Sequence, residues 1–365
     1  MKKILTILGI IAVIVVVVVY LFVRNIFKPD TTTPLAQNIQ TGEPAIVAQN
    51  LHVPWGIVVL PTGELLATER NGAVQIIGTT TTRAIQISDV VERGEGGLLG
   101  VTLHPNYASN TFIYLYYTTQ SNTQTINRVV RFTYDGTTLT HNKIILDAIP
   151  GASNHNGGGL AFGPDGYLYI ATGDASNDIS AQDTHSLAGK ILRVTDEGAI
   201  PADNPFNNAV YSYGHRNPQG LAWDAQGGLW ATEHGRSGLQ SGLDEINFIE
   251  KGANYGWPVI EGDATRSGMK TPVIHSGPTS TWAPSGLVFF NNKLYFAGLR
   301  GQALYEVPIV SEGKLGNVTA HFKSVYGRIR ALTHSPDGTL YFSTSNQDGR
   351  GTVQQGDDKI IQIKF

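Results

Sequence analysis

The segment Asn154-His155-Asn156-Gly157-Gly158-Gly159 places an imidazole at the head of a triple-glycine turn. Successive glycines let the backbone approach a flat ligand more closely than any Cβ would allow. An imidazole there can take a hydroxyl proton near neutral pH while hydride leaves the same carbon, although a histidine in such a turn also serves as a structural hydrogen-bonder. Tyr213-Gly214-His215-Arg216-Asn217-Pro218-Gln219-Gly220 adds Arg216. Its permanently charged fork suits a carboxylate-bearing cofactor or charge developing on a quinone oxygen, and a loop ion pair is the alternative. Thr232-Glu233-His234-Gly235-Arg236, Asp244-Glu245-Ile246-Asn247 and Gly252-Ala253-Asn254-Tyr255-Gly256-Trp257-Pro258 combine carboxylates with loop carbonyls. Those are donors for a hard cation such as calcium, with Asp244 and Glu245 as its carboxylates. In Gly327-Arg328-Ile329-Arg330, strand alternation points both guanidiniums to one face. Two like charges side by side call for an anion or two carboxylates, unless they form a solvated edge. Gly94-Glu95-Gly96-Gly97 and Leu299-Arg300-Gly301 supply one acidic and one basic loop. No GxSxG, HExxH, Walker or Rossmann signature stands in a suitable strand and helix context, which argues against serine hydrolases, zinc peptidases and nicotinamide enzymes.

The elements that must hold these loops recur along the chain. Gly159-Leu160-Ala161-Phe162-Gly163-Pro164-Asp165-Gly166-Tyr167-Leu168-Tyr169-Ile170-Ala171-Thr172 reads as two alternating strands around an Asp-Gly hairpin. Similar units begin near Gly56, Gly220 and Arg330, with weaker copies near Gly97 and Gly286, which makes six. One such unit cannot bury its own sheet, whereas six packed around an axis bury both faces and gather loops at one end. We therefore expect an all-β, six-bladed β-propeller over 43–365, in preference to a β-sandwich, which requires fewer hairpins. Ala45-Ile46-Val47-Ala48-Gln49 and the carboxy-terminal Lys359 to Phe365 are expected to share a blade and close the ring. No amphipathic helix longer than two turns is expected within it.

Ahead of the repeats, Ile4 to Val23 is almost uninterrupted apolar sequence, the length a helix needs to span a bilayer. Lys2 and Lys3 precede it, and Tyr20, Leu21 and Phe22 stand where a signal-peptidase site would need small residues, so an uncleaved anchor over 1–24 is expected. Residues 25–42, with Thr31, Thr32, Thr33 and Pro34, read as a polar linker to an extracytoplasmic domain. A net charge of −3 over 365 residues gives no pull toward nucleic acid. With no cysteine, disulfides, thiolate metal sites and covalent c-type haem are excluded.

From about Leu51 to Phe365, these blocks in this order resemble the glucose/sorbosone dehydrogenase family, and within it the aldose sugar dehydrogenase branch. The resemblance rests on Gly94 to Gly100 with His104-Pro105, Asn154-His155 with Gly158-Gly159, Ile200 to Phe206, Gly214 to Gly220, and Asp244 to Asn247 with Asn254 to Pro258. It implies pyrroloquinoline quinone (PQQ) as cofactor, Ca2+, an aldose substrate, and a separate electron acceptor such as a quinone or cytochrome. His155 would be the base at the anomeric hydroxyl, and Arg216 and Asn217 would hold the quinone oxygens. Glu95 and Asn154 would adjoin the cofactor, and Arg300, Arg328 and Arg330 would bind its carboxylates. The carbonyls of Gly235 and Arg236 would meet the cofactor's calcium, and Glu245 with the Tyr255 carbonyl a second one. Asn154 stands where the soluble glucose branch has an Asp, which would leave His155 without a carboxylate partner and less basic. Glu95 replaces a Gln, and Arg236 a Pro. A calcium-dependent propeller hydrolase, such as a lactonase, and a non-catalytic binding propeller are the competing readings.

Overall fold

The computed structural model of the protein describes residues 42–238 and 241–364. The expected anchor, and the linker up to residue 41, lie outside the described residues. Among the described residues no helix is long and apolar enough to cross a membrane. The helical content there is one turn at Tyr107–Asn110 and a 3-10 turn at Asp178–Gln182.

Everything else that is regular is strand. β1 (Ala45–Ala48) stands apart from its sequence neighbours. Blade 1 comprises β2 (Pro54–Val59), β3 (Leu65–Glu69), β4 (Ala73–Ile77) and β5 (Thr82–Gln86). Blade 2 comprises β6 (Leu98–Leu103), β7 (Phe112–Ser121), β8 (Gln124–Tyr134) and β9 (Leu139–Pro150). Blade 3 has β10 (Leu160–Phe162), β11 (Leu168–Thr172), β12 (Lys190–Val194) and β13 (Val210–Tyr213). Blade 4 has β14 (Pro218–Trp223), β15 (Leu229–Glu233), β16 (Glu245–Ile249) and β17 (Ile274–His275). Blade 5 has β18 (Pro284–Phe290), β19 (Lys293–Gly298), β20 (Ala303–Ser311), β21 (Lys314–Leu315) and β22 (Thr319–His321). In blade 6, β23 (Ile329–His334), β24 (Thr339–Thr344) and β25 (Ile360–Lys364) are completed by β1. Ile46 pairs with Ile361, so the two ends of the propeller sequence share a sheet, as the sequence implies.

The first strands of successive blades touch in a closed cycle, and β23 returns to β2. The glycine at the head of the first strand in blades 1 to 5, replaced by Ala331 in blade 6, is what allows this. A Cβ on Gly159 would stand 2.5 Å from the Gln219 carbonyl oxygen, and one on Gly220 would stand 2.5 Å from that of Ser285. Hydroxyls on the second strands then bridge to the next blade: Thr68 to Leu99 O at 2.5 Å, Thr232 to Ser285 O at 2.6 Å, Ser343 to Pro54 O at 2.8 Å. The core lies between blades rather than in one central mass. Along β7, Tyr114 and Tyr116 pack toward blade 3, while Ile113, Leu115 and Tyr117 pack toward blade 1. A strand buried on both faces must read as a continuous apolar run, as this one does. Truncating the Tyr116 ring would cost on the order of 3–5 kcal/mol.

Candidate active site

Loops entering the first strands and leaving the second strands meet around a cleft of about 280 Å³. Its walls include Glu95, His155, Arg216, Arg236, Arg300 and Arg328. An adjoining chamber of about 20 Å³ takes in Arg330 and shares Glu95, His234 and Leu299 with the cleft. The sequence-derived candidates are thus largely brought together. Asn154 is not: it is exposed on the turn and does not line the cleft.

His155 has a carboxylate partner after all. Its Nδ1 lies 2.8 Å from Oδ1 of Asp174, a residue 1% exposed, which corrects the expectation of an unpaired histidine. The same carboxylate accepts the Ser176 N–H at 2.8 Å and, on Oδ2, the Trp257 indole N–H at 2.9 Å. A carboxylate can only accept, so Nδ1 carries the hydrogen, and in the neutral imidazole the lone pair is on Nε2. The glycines make the approach possible, since a Cβ on Gly157 would stand 2.5 Å from Ala171 O and one on Gly158 2.8 Å from the Trp55 ring. His155 itself has φ 57°. Its own N–H donates to Glu95 Oε2 at 3.1 Å.

Arg216 is aimed by its neighbours. Glu233 accepts the Arg216 backbone N–H on one oxygen and faces His215 Nδ1 at 2.8 Å with the other. The Arg216 guanidinium lies over the Trp257 ring at 5.3 Å. Asn217 Oδ1 accepts the Gly157 N–H at 2.9 Å, locking the head of blade 4 to the histidine turn. Three buried nitrogens here have no partner: Arg216 Nε, Asn217 Nδ2 and His234 Nε2. Burial pushes His234 down to about 4, so its imidazole is neutral at pH 7. Buried polar atoms are rarely left unpaired, so the Arg216 and Asn217 nitrogens, which can only donate, ask for acceptors from a ligand, while the neutral His234 Nε2 donates or accepts according to its tautomer.

Arg328 and Arg330 converge as the alternation implies, although β23 is bulged between Ile329 and Leu332. One carboxylate serves both. Asp348 Oδ2 accepts Arg328 Nε at 2.9 Å and Nη2 at 2.7 Å, and Arg330 Nη2 at 3.1 Å. Burial lowers the Arg330 guanidinium to about 10, which leaves it charged at neutral pH. Glu95 pairs with Arg350 across the cleft. Burial opposes its ionisation, but Arg350 and the His155 N–H outweigh that and hold the carboxyl below its usual range.

The cation candidates divide between two places. Gly235 and Arg236 line the cleft, while Glu245 and Tyr255 line a separate space of about 10 Å³ that Gly235 also borders. Asp244 is not available: its carboxylate accepts N–H groups of Gly235, Trp282 and Ala283 and the Thr281 hydroxyl, at 2.7–2.9 Å. Glu245 faces Glu233 in register across β15 and β16, and burial followed by that repulsion pushes it up to about 8. Glu261 Oε2 and Asn247 Oδ1 are buried acceptors without a hydrogen bond. Arg236 Nε lies 3.2 Å from Glu261 Oε2, an ion-pair distance without hydrogen-bond geometry. Among the described residues no three acidic, histidine or cysteine side chains converge to hold a metal by themselves. A cation here would draw partly on carbonyls.

A family model described as glucose / sorbosone dehydrogenase matches residues 51–354. The chain belongs to the glucose/sorbosone dehydrogenase family. It is an oxidoreductase, as the motif resemblance implies. Aldose sugar dehydrogenase YliI of Escherichia coli is 33% identical, over 83% of this chain and 90% of its own. Quinoprotein glucose dehydrogenase B of Acinetobacter calcoaceticus is 34% identical, over 61% of this chain and 54% of its own. The PQQ-bound aldose sugar dehydrogenase of Streptomyces coelicolor matches with a TM-score of 0.82 at 38% identity, covering 91% of this chain and 99% of that one.

Within this family member, sequence reasoning missed Asp174, Asp348 and Arg350. The repeats carried a signal for the first. Arg70, Asp174, His234 and Ser345 each fall within two residues of the end of their blade's second strand. In a propeller, that position faces the mouth of the axis. Nothing in the spacing marks Asp348 or Arg350, which sit in the long loop between β24 and β25.

Proposed function

We propose that this chain is a PQQ-dependent aldose dehydrogenase that oxidises the anomeric C1 hydroxyl to the lactone and passes electrons to an external acceptor, a quinone or cytochrome. One observation carries the reading: the unpaired Arg216 Nε and Asn217 Nδ2 belong to residues beside a histidine backed by a buried carboxylate. A planar quinone bearing three carboxylates fits that set. It offers acceptors to the orphaned donors and anions to Arg300, Arg328 and Arg330. When bound, the quinone supplies the hydride acceptor, which no side chain of this protein can provide.

The chain supplies position and charge. Asp174 fixes the Nδ1–H tautomer, so His155 Nε2 takes the C1 hydroxyl proton and holds it as imidazolium beside the carboxylate. Arg216 and Asn217 would hold the quinone oxygens and stabilise negative charge developing there. The Trp257 indole N–H holds the second oxygen of Asp174, fixing the carboxylate against the histidine. Gly235 and Arg236 carbonyls would hold the cofactor's calcium, and Glu245 with the Tyr255 carbonyl a structural one. With no cysteine to bind haem covalently, electrons leave to a separate partner. The spanning-length apolar run would hold the catalytic domain at the outer face of a membrane, next to such a partner.

A lactonase would need free carboxylates around a metal-bound water, whereas Glu95, Asp174, Asp244 and Asp348 are all paired within the protein. The deciding assay reconstitutes the full-length chain with PQQ and calcium and follows dye reduction by a panel of aldoses. Cofactor-dependent reduction is expected, lost in His155→Ala. No reduction with any aldose would sink the reading, and full activity in His155→Ala would remove His155 as the base.

A further inference from the structure

Arg350 lies on the loop between β24 and β25 and spans the cleft to Glu95, 255 residues away in sequence. It borders both the cleft and the adjoining chamber. Asp348 Oδ1 accepts its backbone N–H at 3.0 Å, and the other oxygen of that carboxylate is the one shared by Arg328 and Arg330. A single turn therefore pins two guanidiniums and aims a third.

The three arginines differ in freedom. The side chains of Arg328 and Arg330 are 7% and 8% exposed, that of Arg350 is 58% exposed. Arg350 is also flanked by Gly349, at φ 86°, and Gly351. Glu95, by contrast, is tied down at its backbone and at one carboxylate oxygen. Its N–H donates to Ser153 O at 2.8 Å, its second oxygen holds the His155 N–H, and Gly97 beside it packs so tightly on Arg70 that a Cβ would overlap. If the pair opens, Arg350 is the partner that leaves.

An exposed ion pair contributes little net stability, so it exchanges readily when a better anion arrives. A ligand carboxylate inside the cleft is a better anion, because a guanidinium binds it through two parallel, less solvated hydrogen bonds. We propose that Arg350 is a further cofactor anchor, latched by Glu95 while the site is empty and handed over to a carboxylate of the incoming polycarboxylate cofactor. The inference rests on the quinone reading above. It gives Glu95 the role of a competitor for Arg350 and not that of a direct cofactor contact.

The two ends of the latch then have opposite signs, which a structural strap would not. The test titrates the full-length apo chain with PQQ at fixed calcium, by quenching of tryptophan fluorescence, alongside thermal melts without PQQ as a folding control. Arg350→Gln is expected to weaken binding about 10-fold, with Arg350→Lys in between. Glu95→Gln is expected to tighten it about 2- to 5-fold, by freeing Arg350 and removing a like charge. In the Arg350→Gln background, the Glu95 effect should shrink. Binding within twofold of wild type in Arg350→Gln, or weaker binding in Glu95→Gln, overturns the latch while leaving the quinone reading intact. Absence of PQQ binding by the wild type overturns both. If Arg350→Gln does not fold, Glu95→Gln decides the sign alone.

Discussion

Asp174→Asn tests the chemistry at its most specific point, because the substitution preserves shape and removes one charge and one acceptor. In the wild type the carboxylate accepts three hydrogen bonds, from His155 Nδ1, Ser176 N and Trp257 Nε1. An amide cannot match three donors. With its oxygen toward His155, the NH2 opposes the indole N–H; turned over, it opposes Ser176 N–H and donates to Nδ1, which moves the histidine hydrogen to Nε2 and abolishes the base. Either way one donor is stranded, the half-buried indole N–H or the N–H of exposed Ser176, costing about 1 kcal/mol of stability. The charge matters more for rate. With centres about 4 Å apart and an effective dielectric of about 20, the carboxylate stabilises the imidazolium by roughly 4 kcal/mol, or about 10³-fold in rate. Steady-state dye reduction with saturating PQQ and calcium should show kcat falling by about 10²–10⁴-fold, with the PQQ dissociation constant little changed. Asn154→Asp, which restores the carboxylate of the soluble glucose branch at an exposed position, should neither rescue that variant nor alter wild-type turnover beyond about threefold. A kcat for Asp174→Asn within a factor of two of wild type, or rescue by Asn154→Asp, would refute the assignment.

Gly159→Ala drives a methyl group into the Gln219 carbonyl between blades 3 and 4; overpacking of this kind costs about 1–3 kcal/mol, and calorimetry should show Tm lower by several degrees. Glu245→Gln relieves the repulsion from Glu233 and should raise Tm in chelator, yet abolish the rise that calcium gives the wild type; equal calcium stabilisation in both would exclude Glu245 as a ligand. Lys190 is fully buried, donates to the carbonyls of Ser180, Ala181 and Ala188, and is pushed down to about 7 by burial. Above that pH the unfolded chain holds a proton that the folded chain has released, so stability should rise between about pH 7 and 10.5, by at most about 5 kcal/mol. Denaturant titrations across that range should show the rise in the wild type and not in Lys190→Met.

The blades were readable in advance because their signals are local. Each hairpin carries its own turn and its own period-2 pattern, and each repeat opens on the small residue that a neighbouring first strand requires. That His155, Arg216 and Arg328 would line one cleft was readable as well, since each sits beside glycines in a segment entering a first strand. Asp174 escaped because its partner is 19 residues away across a blade, and substitution at Asn154 pointed to the wrong neighbour. Asp244 misled in the opposite sense. A carboxylate beside a glycine-rich loop looks like a cation ligand, and only the closed ring reveals the Trp282 and Ala283 N–H groups that use it.

What long-range pairing does to the cleft also limits what can bind there. Asp174, Glu233, Asp348 and Asp244 each spend their charge on orienting a neighbour: His155, the Arg216 backbone, the Arg328 and Arg330 guanidiniums, the entry to blade 5. The cleft therefore has little free acceptor capacity, and its unmet demand is for acceptors from outside. A neutral sugar alone would bring acceptors but no negative charge to the Arg216, Arg300 and Arg328 guanidiniums that line the cleft. An anionic, acceptor-rich ring would bring both, and on the proposed function the sugar would then take the part of the cleft next to His155. On that function, charge pairing within the protein would select the cofactor first and leave the substrate to be read by loop shape.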